Sequence, residues 1–143
     1  MIGKITGVAV IGDKNLEIGW DDGRIAPVDL SDLIGAHKAL AALKKKGEFA
    51  KVAVSADRWS LEWPNGVDFG AAQLRRWADE QAGEVKPVAD FRAWMEEHGL
   101  TQEGAAQALG LSRRMIAYYL SGEKPIPKTV MLATEGWARR AEA

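Results

Sequence analysis

Hydrophobic residues alternate with small or polar ones through the first half of the chain, which is the period of a half-buried β-strand. The clearest run is Leu16, Ile18 and Trp20. The dipeptide Asp22-Gly23 follows it and predicts a hairpin turn, because glycine tolerates a positive φ. Pro27 makes the returning strand short or places it at a sheet edge. The predicted strands lie at 8–10, 16–20, 25–28, 50–54 and 59–63.

Two helices are predicted between and after these strands. Leucines recur at helical spacing from 31 to 46, and the segment ends in a lysine run followed by Gly47, as helix C-termini prefer. A turn at 64–66 then leads to Asp68, which we expect to cap a helix ending at Gln81. The first half is therefore predicted to be an α+β domain with a small antiparallel sheet.

The pattern changes to helical spacing after residues 83–87, which we interpret as a linker. Phe91, Trp94, Met95 and His98 follow the i, i+3, i+4, i+7 spacing of one helix face. A last helix is expected to turn Val130, Ala133 and Trp137 inward. These patterns predict two domains, an α+β domain at 1–82 and an all-α domain at 88–143.

Within the second half, two short helices are separated by a turn of three residues that contains Gly110. Thr101 is a good N-cap for the first of these helices, and Ser112 for a second that runs to Leu120. Ala105 is small enough for the second helix to cross the first closely. This arrangement is a helix-turn-helix, whose second helix enters the major groove of DNA.

The candidate DNA contacts lie at the N-terminal ends of these two helices and just beyond the second. Arginine reads guanine edges and also binds phosphates, and a helix N-terminus attracts phosphate. The alternative is that the arginines form an ordinary solvated helix start and that the aromatic residue packs inward. The predicted contacts are Thr101, Gln102, Ser112, Arg113, Arg114, Tyr118 and Lys124.

Charge restricts what kind of nucleic-acid binder this chain could be. The chain has 19 basic and 20 acidic residues, for a net charge of −1, which excludes a generally basic coat protein. Segment 111–128 has four basic residues and one acidic residue, so its local charge is +3. We therefore expect weak, salt-sensitive binding by a single copy.

The segment TQEGAAQALGLSRRMIAYYLSGEKPIP resembles the helix-turn-helix of the phage Cro and C1 repressor family, the xenobiotic-response-element class. The resemblance covers about residues 88–140 and implies a λ-repressor-like all-α domain. It also implies that Gln102, Arg113, Arg114 and Tyr118 occupy DNA-facing positions. The residues that carry the match are Thr101, Gln102, Ala106, Gly110, Ser112, Ile116 and Gly122.

The segments DDGRIAPVDLSDLI and FAKVAVSADRWSLEWPNGVDFGAAQL resemble family 2442 of the bacterial domains of unknown function. The most specific piece is WPNGVD at 63–68, and the resemblance covers most of residues 1–80. It implies a small α+β fold with no established activity. Some relatives are thought to be encoded beside toxin-like genes.

Several function classes are not expected from this sequence. It has no cysteine and only two distant histidines, so we expect no metal site and no cofactor. No catalytic fingerprint is present, which argues against an enzyme. No apolar run approaches the roughly 20 residues of a membrane span, and we expect no secretory signal at the N-terminus. We expect a cytoplasmic protein. Tryptophan spacing, including that of Trp59, predicts core packing rather than a stacking surface for single strands.

The leading hypothesis is a transcriptional regulator that binds double-stranded DNA as a homodimer. The main alternative is a protein-interaction module, such as an antitoxin that binds a partner protein through its N-terminal domain and uses DNA binding for autoregulation. A third is a small-molecule sensor. Salt dependence separates the first two, because groove binding weakens steeply as salt rises.

Overall fold

The computed structural model describes residues 3–142, and the chain forms two compact units that divide between Gln81 and Ala82. The first unit combines short antiparallel sheets with helices, and the second is mainly helical. Both parts of the predicted fold class are confirmed. No helix within residues 3–142 is long and apolar enough to span a membrane.

The first unit contains two three-stranded sheets and several helices. The first sheet has the order β1-β2-β3 and the second the order β4-β5-β6, with every pair antiparallel. Its elements are β1 (Ile5–Gly12), β2 (Asn15–Trp20), β3 (Ile25–Asp29), α1 (Ser31–Ala36), a 3-10 helix (Lys38–Lys44), α2 (Lys46–Phe49), β4 (Ala53–Val54), β5 (Ser60–Glu62), β6 (Asp68–Gly70) and α3 (Ala71–Gln81).

Buried hydrophobic residues alternate with other residues along β2, so one face of the first sheet lies in the core of this unit. Leu16, Ile18 and Trp20 are buried, as predicted, and Gly23 makes the expected turn with φ of +91°. The indole Nε1 of Trp20 donates to the backbone oxygen of Ala71, at 3.1 Å. That bond satisfies a polar atom that burial would otherwise leave without a partner.

Four predictions for the first unit are wrong. The strand predicted at 50–54 is only β4 (Ala53–Val54), because Ala50 and Lys51 form a turn after α2. Segment 31–46 is not one helix, because His37 adopts an extended conformation that separates α1 from the 3-10 helix. Asp68 does not cap α3: it lies in β6, and α3 begins only at Ala71. Trp59 does not pack in the core, since 47% of it is exposed beside the turn between β4 and β5.

The second unit contains four helices within its described residues and one two-stranded sheet. The predicted linker 83–87 includes a strand, β7, whose register pairs Lys86 with Ile126 of β8. This pairing ties the start of the unit to the segment before its last helix. The elements are β7 (Val85–Lys86), α4 (Val88–Glu97), α5 (Gln102–Leu109), α6 (Arg113–Ser121), β8 (Ile126–Pro127) and α7 (Lys128–Glu142).

The core of the second unit forms where these helices meet. The predicted inward face of α4 is confirmed for Phe91, Trp94 and Met95, all buried. In α7 the prediction of Ala133 as an inward residue is wrong: it is exposed, and the neighbouring Thr134 is buried. The hydroxyl of Thr134 donates to the backbone oxygen of Met131, which explains how a polar residue occupies that position. The remaining buried members are Ala105, Ala106, Ile116, Tyr119, Ile126 and Val130.

Candidate nucleic-acid interface

The α5–α6 pair is bounded by local backbone geometry that the sequence encodes directly. Thr101 Oγ1 accepts a hydrogen bond from the Gly104 N–H at 3.0 Å, which caps α5. Gly110 ends that helix with φ of +68°, a left-handed conformation that favours glycine. Ser112 Oγ then accepts from the Met115 N–H at 3.1 Å and caps α6. The three-residue turn between two capped helices is therefore present as predicted.

Small residues let the two helices approach each other. Ala105 and Ala106 of α5 are buried, and so are Ile116 and Tyr119 of α6. Because one face of α6 is used in this packing, its opposite face and its N-terminal end are left for solvent or a ligand.

The residues at the start of α6 point outward. Arg113 and Arg114 are both exposed, as is Gln102 at the start of α5. Thr101 and Ser112 are also exposed, although their oxygens serve as helix caps. A capping hydroxyl uses its oxygen as an acceptor and keeps its own proton to donate, so both residues can still donate to a phosphate.

Tyr118, one turn further along α6, contacts two of the predicted DNA-binding cations, Arg114 and Lys124. Its hydroxyl oxygen accepts a hydrogen bond from Arg114 Nε at 2.6 Å, and the guanidinium carbon lies 5.4 Å from its ring centroid. Lys124 Nζ lies 5.0 Å from the same centroid. Tyr118 is half-buried, and both positive groups lie close enough to its ring for a cation–π interaction. We call Arg114, Tyr118 and Lys124 the tyrosine cluster.

Among the described residues, no ion pair neutralises the cations of this surface. Across residues 3–142, every ion pair joins residues of the first unit, and none involves Arg113, Arg114 or Lys124. A guanidinium has five N–H donors, and the bond to Tyr118 occupies only one of those of Arg114. The surface can therefore bind an anion such as phosphate without first breaking an ion pair.

Arg92 of α4 supports the far end of α6 and was not singled out by sequence reasoning. Its Nη2 donates to the backbone oxygen of Leu120 at 3.3 Å, satisfying one of the carbonyls that a helix C-terminus leaves open. The two residues are 28 positions apart, so no local pattern could have indicated the contact.

The predicted contact residues thus fall into two groups. The tyrosine cluster brings two of them, Arg114 and Lys124, against the third, Tyr118. Thr101 and Gln102 lie at the start of α5, and Ser112 and Arg113 at the start of α6. Within residues 3–142 there is no group of three or more acidic or histidine side chains arranged to hold a metal ion.

Comparison with known proteins finds a family match within each half of the chain. Residues 5–80 match the profile described as a protein of unknown function, DUF2442. The chain belongs to the DUF2442 family. Residues 91–133 match the Cro/C1-type helix-turn-helix profile, which supports DNA binding by this member of the family. Both resemblances inferred from the sequence are confirmed.

A solved structure resembles this DUF2442 chain over most of its length. It is the crystal structure of a protein from Nitrosomonas europaea described as a "putative DNA binding protein". The two chains are 37% identical, and the match covers 94% of this chain and 86% of that one, with a TM-score of 0.59. No curated protein matches the chain.

Proposed function

We propose that this DUF2442 protein is a transcriptional regulator that recognises a specific sequence of double-stranded DNA. In this proposal α6 enters the major groove with its N-terminal end toward the bases. The observation that carries it is the exposed tip of α6, where Arg113 and Arg114 have no acidic partner within residues 3–142. A chain of net charge −1 that leaves these cations unpaired has a local surface suited to DNA.

The predicted DNA-contacting side chains differ in how firmly the protein holds them, and we assign them different contacts on that basis. Arg113 is exposed, and within residues 3–142 no hydrogen bond or ion pair holds its side chain, so it can adjust to a base edge and bind guanine O6 and N7 together. The tyrosine cluster holds Arg114 and Lys124 in place, which suits the fixed spacing of backbone phosphates. Thr101, Gln102 and Ser112 lie at helix starts, where N–H groups and hydroxyls can bind the flanking phosphates.

We further propose that the protein acts as a homodimer on a two-fold symmetric operator. A local charge of +3 supplies few phosphate contacts, so two copies are needed for tight binding under physiological salt. Half-sites are then expected about 34 Å apart, which is one turn of the double helix.

The test compares two double-arginine variants of the full chain. An operator is first selected from a pool of random duplexes, and binding is then measured by fluorescence anisotropy. Arg113→Ala with Arg114→Ala should remove the preference for the operator, a loss of about tenfold or more in affinity. Arg139→Ala with Arg140→Ala is the matched control, because this pair is also adjacent and exposed but lies near the C-terminal end of α7.

The control should keep the operator preference, with only the small loss expected from a lower net charge. Circular dichroism checks that both variants remain folded. If the variant at positions 113 and 114 still prefers the operator as strongly as the control does, α6 is not the reading element and the proposal is wrong.

A further inference from the structure

Positive charge in this chain is concentrated in two segments, one in each unit. Segment 111–128, at the helix-turn-helix, has a net charge of +3. Segment 38–51 of the first unit has five basic residues and one acidic residue, so its net charge is +4. The rest of the chain has 10 basic and 18 acidic residues, a net charge of −8. On balance the rest of the chain repels a polyanion, whereas these two segments attract one.

The local fold of segment 38–51 keeps its lysines at the surface. Leu40 and Leu43 of the 3-10 helix and Phe49 of α2 are buried, and they anchor the segment in the core of the first unit. Every lysine and every alanine of the segment is exposed. Because alanine is short, it does not shield the charges beside it. We call the five lysines of this segment the lysine surface: Lys38, Lys44, Lys45, Lys46 and Lys51.

The two short helices of the segment spread these charges over a length of surface. A 3-10 helix has three residues per turn, so Lys38, Ala41 and Lys44 lie on one face of it. Its rise of about 2 Å per residue separates Lys38 from Lys44 by about 12 Å along the axis. Lys45 then adopts an extended conformation, and α2 begins at Lys46. Charge spread in this way suits a polyanion better than a single small anion.

Interactions within the protein do not account for the lysine surface. Of its five members only Lys51 forms an ion pair within residues 3–142, with Glu48 at 2.9 Å, and no hydrogen bond holds the other four ammonium groups there. Stabilisation of a helix C-terminus accounts for Lys44 alone, since Lys38 begins the 3-10 helix, where a positive charge is unfavourable. Neighbouring unpaired ammonium groups repel one another, and a bound polyanion relieves that repulsion.

We propose that the lysine surface is a second DNA-binding site, which contacts backbone phosphates without reading the base sequence. A lysine ammonium group binds phosphate as a point charge, and segment 38–51 has no arginine, asparagine or glutamine to read a base edge. The inference rests on the proposed function for its choice of DNA as the polyanion, and on the exposed, unpaired lysines for its location. Each copy then brings phosphate contacts from both units.

The composition of the surface favours DNA over a protein or a membrane. Protein interfaces are depleted in lysine and enriched in aromatic residues, and Phe49, the one aromatic residue of segment 38–51, is buried. Membrane-surface helices insert large apolar side chains between lipids. The leucines that could do so here are buried, and no apolar side chain larger than alanine is exposed in the segment.

The test compares the salt dependence of DNA binding in two double variants of the full chain. Lys44→Gln with Lys45→Gln removes two charges of the lysine surface. Arg139→Gln with Arg140→Gln is the matched control, because it removes two adjacent, exposed cations outside both basic segments. Fluorescence anisotropy measures the affinity for a duplex that extends well beyond the selected operator on both sides, and for a random duplex of equal length, at a series of KCl concentrations. Circular dichroism checks that both variants remain folded.

The lysine variant should bind both duplexes about tenfold or more weakly than the control does. The slope of log affinity against log salt should become shallower by about 2, since each lost phosphate contact removes about 0.9. The ratio of the two affinities should stay unchanged, because these lysines read no bases. Equal slopes and affinities in the lysine variant and the control would overturn the inference.

Vesicles of phosphatidylserine and phosphatidylcholine test the competing anionic surface. The unaltered chain should not sediment with them more than the lysine variant does. Vesicle binding that depends on Lys44 and Lys45, with duplex binding unaffected by their replacement, would assign the lysine surface to membranes and overturn the inference.

The two duplexes also separate this inference from the proposed function. A chain that prefers no selected duplex, yet binds random duplexes through the lysine surface, would contradict only the proposed function. An operator preference that depends on Arg113 and Arg114, with a salt slope that does not depend on Lys44 and Lys45, would contradict only this inference. A chain that binds neither duplex would contradict both.

Discussion

Tyr118 and Tyr119 are adjacent in α6 yet have opposite surroundings. Tyr119 is buried against Phe91, with ring centroids 5.9 Å apart in an edge-to-face arrangement, and burial raises the pKa of its hydroxyl. Tyr118 lies at the surface between Arg114 and Lys124. The helical period separates the two by about 100°, which turns one ring into the core and the other toward the candidate DNA surface.

Tyr118→Phe should weaken operator binding by a few-fold while leaving the fold intact. The change removes the hydroxyl that accepts from Arg114 Nε but keeps the ring beneath both cations. A net contribution of about 1 kcal/mol from one hydrogen bond corresponds to a loss of roughly fivefold. Fluorescence anisotropy measures the affinity.

Tyr119→Phe is the control, because it removes a hydroxyl from the neighbouring residue outside the tyrosine cluster. Its affinity for DNA should match that of the unaltered chain. Equal losses in the two variants would show that the bond between Arg114 and Tyr118 does not position the arginine.

At the scale of elements, a glycine within α5 and a glycine at its C-cap are present for different reasons. Gly110 ends the helix at φ of +68°, where a side chain is strained. Gly104 lies within the helix, where its low propensity costs about 1 kcal/mol relative to alanine. A Cβ at position 104 would lie 3.3 Å from Thr101 Oγ1, the oxygen that caps the helix. Crowding of this cap therefore limits how much an alanine at position 104 could stabilise the helix.

We expect Gly110→Ala to lower the free energy of unfolding of the second unit by about 1 kcal/mol, which is the cost of left-handed backbone for an L-residue. Gly104→Ala should change it by much less, since crowding of the cap offsets the gain in helix propensity. Urea unfolding of the full chain, followed by circular dichroism, measures both. A gain of a full 1 kcal/mol in Gly104→Ala would mean that the cap adjusts without cost.

The break at His37 shows what helical periodicity fails to reveal. Leu40 and Leu43 are buried, so the spacing of hydrophobic residues between 31 and 46 indicated burial correctly. The same spacing is compatible with a short α-helix followed by a 3-10 helix, because an interval of three residues fits both. The choice depends on how the chain packs against the rest of the unit.

At the scale of the whole molecule, two carboxylates of the first unit make its stability sensitive to acid. The Ser55 hydroxyl donates to Asp57, and this bond, together with the Trp59 N–H, lowers the pKa of that carboxyl. The hydroxyl and backbone N–H of Ser31 lower the pKa of Asp29. A carboxyl whose folded-state pKa is below its unfolded value stabilises the fold above about pH 4.

That stabilisation should be lost as pH falls through the folded-state pKa of each group, below about pH 4. Asp57→Asn removes one titrating group, so the decline of its unfolding midpoint with acid should be shallower than in the unaltered chain. Thermal unfolding at a series of pH values, followed by tryptophan fluorescence, measures the midpoint. Asp68→Asn is the control, because Asp68 has no hydrogen bond to its side chain within residues 3–142; an equal effect of the two variants would contradict the argument.

The sequence alone determined the local features of the helix-turn-helix. Thr101, Gly110 and Ser112 act through caps and backbone angles within three or four residues, so their roles could be predicted from spacing. Alternation likewise predicted the strand β2, because side-chain period alone selects its buried face.

The tertiary structure decided what depends on distant partners. It leaves Trp59 exposed and places Thr134, rather than the predicted Ala133, in the core. It also brings Arg92 to the C-terminal end of α6. It further brings the Gln81 side chain to Asp29 at the end of β3, from 52 residues away. Contacts of this kind arise only when separate segments pack together, and no pattern within one segment contains them.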